Sequence, residues 1–238
     1  MTEIRNYESA AEVADAAAEN AVEILQLAIE AKGSATWVLA GGTSPMLAYK
    51  KLIKDFSDTL EWSKVTVFVG DERMVALDHK DSNYGEILSL FDKDPELSKV
   101  KRIAPDTSLD VATAAHDFEH KISIENIIEF DLVWLGVGED GHTLSLFPGN
   151  PALTEPTEDW VVPVYNSPKP PSERITLSLK ALEYVDELVI FAVGASKQDA
   201  LKEARLKRKL PIAVVADVLE ENGGEVRWLY DEAAWNDD

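Results

Sequence analysis

One stretch of this chain places a histidine, two acids and four glycines within fifteen residues: Leu135-Gly136-Val137-Gly138-Glu139-Asp140-Gly141-His142-Thr143-Leu144-Ser145-Leu146-Phe147-Pro148-Gly149. A glycine-rich turn that holds Asp140 close to His142 gives a general base with an adjacent carboxylate. The stretch also contains a literal G-x-G-x-x-G after an apolar run, which imitates a dinucleotide fingerprint. Its context argues otherwise, because a histidine follows the last glycine and Trp160, not an acidic ribose ligand, lies about 20 residues on.

Four other segments carry groups of chemical interest. In Leu39-Ala40-Gly41-Gly42-Thr43-Ser44-Pro45, Gly41 and Gly42 allow a sharp turn and close backbone approach, Thr43 and Ser44 offer hydroxyls, and Pro45 suits a first helical turn. Free N–H groups there would bind an anion, phosphate most naturally; a capped turn with no ligand is the other reading. Gly70-Asp71-Glu72-Arg73, followed by Ser82-Asn83-Tyr84, sets two carboxylates and a guanidinium where they could position a polar substrate, or merely pair at the surface. Arg174-Ile175-Thr176-Leu177 and Gly194-Ala195-Ser196-Lys197 each bring a cation to a strand boundary. Lys197 stands near the expected start of a helix, where the dipole disfavours an unpaired cation, so an anionic partner would rationalise it. His116 and His120 are read as a solvated helix face, His79 as surface, and the six tryptophans as packing.

The elements that must position these groups alternate. A helix is expected over residues 8–32, then buried strands at Thr36–Ala40, Val65–Val69, Asp131–Gly136 and Leu188–Val193. Each strand leads through glycine-containing turns into a helical segment: Met46–Asp55, Asn83–Phe91, a stretch after Gly141, and Ser196–Arg208. Further strands are expected at Val161–Val164, Arg174–Ser178, Pro211–Val215 and Val226–Tyr230. Strand–helix alternation predicts an α/β fold, a mostly parallel sheet with helices on both faces, over residues 1–238 as one domain. Ligands of such sheets collect at the carboxyl ends of strands, where the five segments lie.

The 238 residues include 44 Asp plus Glu against 23 Lys plus Arg, a formal charge of −21 with a pI near 4.5. Charge of this sign opposes nonspecific binding to nucleic acid and to anionic membranes. The lack of cysteine excludes disulfides, thiolate metal sites and cysteine nucleophiles. No apolar stretch nears the roughly 20 residues of a membrane span, and the N-terminus has no signal character, so a cytoplasmic location is expected. Any phosphate site must then gather local positive charge against the net field.

Taken in order, the five segments resemble the 6-phosphogluconolactonase family, within a wider group that includes glucosamine-6-phosphate deaminases and isomerases. The resemblance runs from the Gly41 loop to the Trp228 region, and Gly138 to Gly149 is its most specific piece. It implies a modified Rossmann-like α/β fold, no metal, no cofactor, and hydrolysis of 6-phosphogluconolactone, a small phosphorylated sugar lactone. It further implies that His142 is the general base, that Gly42, Thr43, Arg174 and Lys197 grip the phosphate, and that Arg73 adds a contact. Gly41, Ser44 and Asp71 complete the expected binding set, with Asp140 orienting the base. A monomer or weak homo-oligomer is expected. Two departures are visible: Thr43-Ser44 reverses the usual order of the two hydroxyls, and Ala76 stands where a proline often follows Val75. The related deaminases resemble D-G-H-I-A-F-N-E-P-G here, with a carboxylate five residues after the histidine; this chain has Phe147 at that position. The alternatives are a deaminase-like enzyme and a sugar-phosphate-binding module without turnover.

Overall fold

The computed structural model describes residues 2–207 and 210–235. Along the chain run β1 (Thr2–Tyr7), α1 (Ala10–Lys32), β2 (Ala35–Leu39), α2 (Thr43–Phe56), β3 (Val65–Val69), β4 (Asp71–Arg73) and α3 (Asn83–Phe91). Next come β5 (Lys101–Arg102), α4 (Val111–Ile124), β6 (Phe130–Gly136), α5 (Pro151–Thr154), β7 (Val161–Val164) and β8 (Arg174–Leu177). The rest are α6 (Leu179–Leu182), β9 (Val185–Ala192), α7 (Gln198–Lys207), α8 (Pro211–Glu221) and β10 (Glu225–Asp231).

Seven strands form one sheet in the order β1-β10-β9-β6-β2-β3-β5, every neighbouring pair parallel. Successive side chains of its central strands enter different cores. Trp37, Leu132, Trp134, Val189 and Phe191 join α1, α2 and α3 on one face, while Val38, Val133, Leu135, Leu188 and Ile190 join α4, α7 and α8 on the other. Burial on both faces is why these strands read as continuous apolar runs. The first core is aromatic at its centre, where Trp37 meets Trp134 edge-on at 4.8 Å and Tyr49 stacks on Trp134 at 4.9 Å.

A smaller antiparallel sheet, β4-β8-β7, sets Arg73 opposite Arg174 in register. It hangs from the large sheet at Gly70, whose N–H donates to Leu39 O (3.1 Å) and whose carbonyl accepts from Leu177 N–H (2.8 Å).

The α/β sheet agrees with expectation, with two corrections. Pro211–Val215 is not a strand; it opens α8, with Pro211 in the first helical turn and Ile212, Val215, Ala216 and Leu219 buried at helical spacing. A short apolar run cannot distinguish the two periods, and the helical one continued beyond it. Nor is the stretch after Gly141 a helix: Gly141 (φ 74°), Leu144 (φ 52°) and Gly149 (φ 74°) take left-handed backbone, and the first helix that follows is the single turn α5. The expected end of the helix beginning at Ser196, Arg208, lies outside the described residues.

Glu72, which the sequence leaves as either a substrate contact or one partner of a surface ion pair, turns inward instead. Its carboxylate is fully buried and accepts from the N–H groups of Arg73 (2.8 Å), Asn83 (2.8 Å) and Tyr84 (2.7 Å) and from Ser82 Oγ (2.9 Å). It therefore closes the start of α3 and ties that helix to β4, the strand of Asp71 and Arg73. Burial pushes the carboxyl's pKa up and the four donors pull it back only in part. The isosteric Glu72→Gln turns an amide N–H₂ toward donors that need an acceptor. It is expected to lower stability by about 2 kcal/mol, read from the urea midpoint; an unchanged midpoint would refute the role.

Candidate active site

The chain leaves β2 toward β3 on one side, and β6 returns on the other, so a crevice opens above the carboxyl ends of β2 and β6. A cleft of about 370 Å³ occupies this place. Gly41 to Pro45 line it after β2, Asp71 and Arg73 after β3, Gly136 to Gly138 and His142 to Leu144 after β6, and Lys197 after β9. Arg174 of β8 and Lys169 with Pro170, from the loop before it, complete the wall.

The turn after β6 is held by Gly138 N–H to His142 O (2.8 Å) and Gly141 N–H to Gly138 O (3.0 Å). This folds Asp140 back, and its Oδ1 is hydrogen-bonded to His142 Nδ1. With Nδ1 donating to the carboxylate, the lone pair of neutral His142 is on Nε2. A Cβ on Gly138 would lie 1.9 Å from His142 Nδ1 and 2.6 Å from Asp140 Oδ1, so only glycine admits the pair. Leu144 keeps a left-handed φ that costs a non-glycine residue energy, a strain common where a wall must present particular groups.

Burial lowers the His142 pKa below its ordinary value of 6.5; Asp140 and Asp71 oppose that, and Lys169, with its Nζ 3.6 Å from Asp140 Oδ1, reinforces it. For Asp140 burial acts upward, but the hydrogen bond and charge of His142, with Lys169, bring it below the usual carboxylate range. At neutral pH the pair is thus an unprotonated imidazole on an ionised carboxylate.

At the start of α2, Gly42 (φ 101°) is the cap residue and no side chain caps the helix, so the N–H groups of Thr43 and Ser44 stand at the cleft without a capping acceptor. Gly41 is pressed against Asn83, where a Cβ would meet Oδ1 at 2.0 Å. The Asn83 amide in turn donates to Asp71 O (3.0 Å) and Oδ1 (3.2 Å).

The four cations of the wall differ in how they are held. Arg174, 4% exposed, spends Nε on Pro171 O (3.1 Å), Nη2 on Lys169 O (2.9 Å) and Nη1 on Ser145 Oγ (3.4 Å). Ser145 Oγ–H continues to Asp71 Oδ2 (2.5 Å). Arg174 thus secures the loop carrying Lys169 and keeps two of its five N–H donors uncommitted. Arg73 donates from Nη1 to Asp81 O (2.7 Å), while its buried Nε lacks a partner among the described residues. The Lys197 ammonium makes no hydrogen bond or ion pair with a described residue, and burial lowers its pKa. Asp71 is the carboxylate among the lining residues, and it is engaged with Ser145 and Asn83.

The cleft therefore gathers every residue expected at the site: Gly41, Gly42, Thr43, Ser44, Asp71, Arg73, His142, Arg174 and Lys197 line it, and Asp140 adjoins it through His142. Sequence reasoning missed Lys169, whose signal was a lone cation inside the proline-rich stretch Ser167 to Ser172. It also missed Asn83 as the strut between two strand ends. His79, His116 and His120 are exposed and away from the wall. Among the described residues the carboxylate cluster able to hold a metal is Glu129, Asp131 and Asp186, at the opposite end of the sheet, where Lys32 Nζ already pairs with all three. No described helix is long and apolar enough to cross a membrane. Gly138→Ala is expected to part the pair and abolish the downfield Nδ1–H resonance in proton NMR while the chain still folds; persistence of that resonance would contradict the close-packing account.

Residues 8–228 match the family model of glucosamine-6-phosphate isomerases/6-phosphogluconolactonase. The chain is 32% identical to Probable 6-phosphogluconolactonase 1 of Arabidopsis thaliana, over 98% of this chain and 92% of that protein. It superposes on the crystal structure of a 6-phosphogluconolactonase from Shewanella baltica with a TM-score of 0.86 at 26% identity, covering 97% and 98% of the two chains. For 6-phosphogluconolactonase from Trypanosoma brucei the TM-score is 0.81 at 28% identity, over 98% and 97%.

Proposed function

Since the chain belongs to the family of glucosamine-6-phosphate isomerases and 6-phosphogluconolactonases, we propose that it hydrolyses 6-phospho-D-glucono-1,5-lactone to 6-phospho-D-gluconate. The observation that carries this reading is a neutral, carboxylate-oriented histidine in one cleft with an uncapped helix start and four cations. In the oxidative pentose phosphate pathway, in the cytoplasm, such an enzyme clears the lactone that glucose 6-phosphate oxidation produces.

His142 Nε2 takes a proton from water as its oxygen attacks the lactone carbonyl carbon. The tetrahedral intermediate collapses with cleavage of the bond to the ring oxygen, which leaves as a hydroxyl on receiving the proton from His142. Asp140 fixes the ring and its tautomer and stabilises the imidazolium between the two transfers. The phosphate binds the N–H groups of Thr43 and Ser44 with Lys197, and the uncommitted donors of Arg174 and Arg73 help to hold it. This distant anchor orients the carbonyl toward the base. A deaminase reading fares worse, because the position of the carboxylate that deaminases use is occupied by Phe147, whose ring lies flat on His142.

Purified protein is expected to accelerate lactone hydrolysis above the spontaneous rate; no acceleration would favour a binding module. His142→Asn should lower kcat by about 10²- to 10⁴-fold while 6-phosphogluconate still binds. Lys197→Ala should raise KM about 10- to 100-fold with kcat little changed, and an unchanged KM would remove Lys197 from the phosphate site. The base must be unprotonated, so kcat/KM falls as pH drops through the His142 pKa. Burial lowers that pKa, which sets the midpoint of the acid limb below 6.5; a midpoint above 6.5 would contradict the assignment.

A further inference from the structure

Phe147 belongs to no strand or helix, lines the groove next to the catalytic cleft rather than the cleft itself, and is fully buried. Its ring nevertheless meets both ends of the proposed chemistry. The His142 imidazole lies against it, centroids 4.6 Å apart with 26° between the planes. The guanidinium carbon of Arg174 stands 5.4 Å from the same centroid, within cation–π range.

We propose that Phe147 is a positioning residue that holds the base and the phosphate-side cation in one fixed relation, through a single aromatic ring shared by His142 and Arg174. Asp140 fixes Nδ1, but a hydrogen bond at one atom leaves the imidazole free to rock about it. A flat apolar surface at stacking distance removes that freedom. Arg174 has three donors tied to Pro171, Lys169 and Ser145, which set its plane, and the ring's negative face backs the guanidinium in that position. Pro148 and Gly149 follow directly, with Gly149 in left-handed backbone, so the turn that ends the catalytic loop also seats the ring.

A second consequence concerns protonation. The charged groups that act on His142 are Asp140 on its own turn, Asp71 at the end of β3 and Lys169 on the loop before β8, while Arg174 stands against the shared Phe147 ring. The two acids favour imidazolium and Lys169 disfavours it, while the covering ring denies the imidazole water on that side. Burial is the largest of the influences that lower its pKa.

The kinetic half of this proposal rests on the lactonase reading; the titration half does not. The test compares wild type with Phe147→Leu, which removes the ring and keeps much of the volume, and Phe147→Tyr, which restores it. Phe147→Met serves as a second ring-free variant should the leucine one not fold. Side-chain NMR of the four histidines, with the His142 signal assigned by its loss in His142→Asn, gives the midpoint directly. In the leucine variant it is expected to rise toward 6.5 and in the tyrosine variant to return to the wild-type value. With lactone as substrate, the leucine variant should lose about tenfold in kcat/KM, through both kcat and KM, and the acid limb should move with the NMR midpoint. If the wild type proves inactive, weaker 6-phosphogluconate binding and a raised midpoint in the leucine variant would still support the role of Phe147. An unmoved His142 midpoint in both ring-free variants, in folded protein, would overturn it and leave Phe147 a packing residue.

Discussion

A parallel sheet covered on both faces can offer a ligand only its ends, and in this chain every feature of the cleft follows from that constraint. Trp37 and Val38, or Leu188 and Val189, are consecutive residues committed to different cores, so the middle of the sheet holds no free surface. The loops after β2, β3, β6 and β9 can carry polar groups because they have just left the apolar layers. The order of strands then decides which loops meet. With β6 beside β2, the turn bearing His142 faces the uncapped start of α2, and the two lie more than ninety residues apart in sequence. The small β4-β8-β7 sheet, hung from Gly70, closes the third side and brings Arg174 to the same place.

The electrostatics of the site are local. A formal charge of −21 repels anions at a distance, but screening at physiological salt limits that field to about 8 Å. Within the cleft wall Arg73, Arg174, Lys169 and Lys197 face one carboxylate, Asp71, which is itself hydrogen-bonded. The acids elsewhere find other work. Glu72 is spent inside on a helix start, and Glu129, Asp131 and Asp186 surround Lys32 at the far end of the sheet. An acidic protein can therefore hold an anionic ligand where cations outnumber carboxylates and keep donors to spare.

Much of this was legible in the residues because the sheet's burial writes itself into the chain. Val65–Val69 is an apolar run broken only by Thr66 and coincides with its strand, and Asn83–Phe91 coincides with its helix, announced by the capping Ser82. What stayed hidden depends on partners remote in sequence. TEIRNY has too few apolar residues to read as a strand, and becomes β1 only by pairing with β10; Asp71–Arg73 is a strand only because Arg174–Leu177 lies opposite. Pro211–Val215 misled because five apolar residues fit either period. Asp140 and His142 could be paired from spacing alone, since two residues and a glycine turn settle it. Lys169 could not, because its place is set by Arg174 holding its carbonyl from five residues away.

The proposed base, His142, illustrates why a site of this kind would need burial and charge in opposition. A histidine beside an ionised carboxylate in water would be more basic than usual, and at neutral pH part of it would already be protonated and useless as a base. Covering the ring with Phe147 and setting Lys169 near the carboxylate reverses the balance, so the imidazole stays neutral while the hydrogen bond that orients it is retained. The same carboxylate becomes most valuable when the proton arrives, since it then faces a cation in a poorly hydrated place where the attraction is strong. In the proposed mechanism, orientation in the resting state and stabilisation of the transient cation thus come from one group, and the apolar ring lets both operate at the same pH.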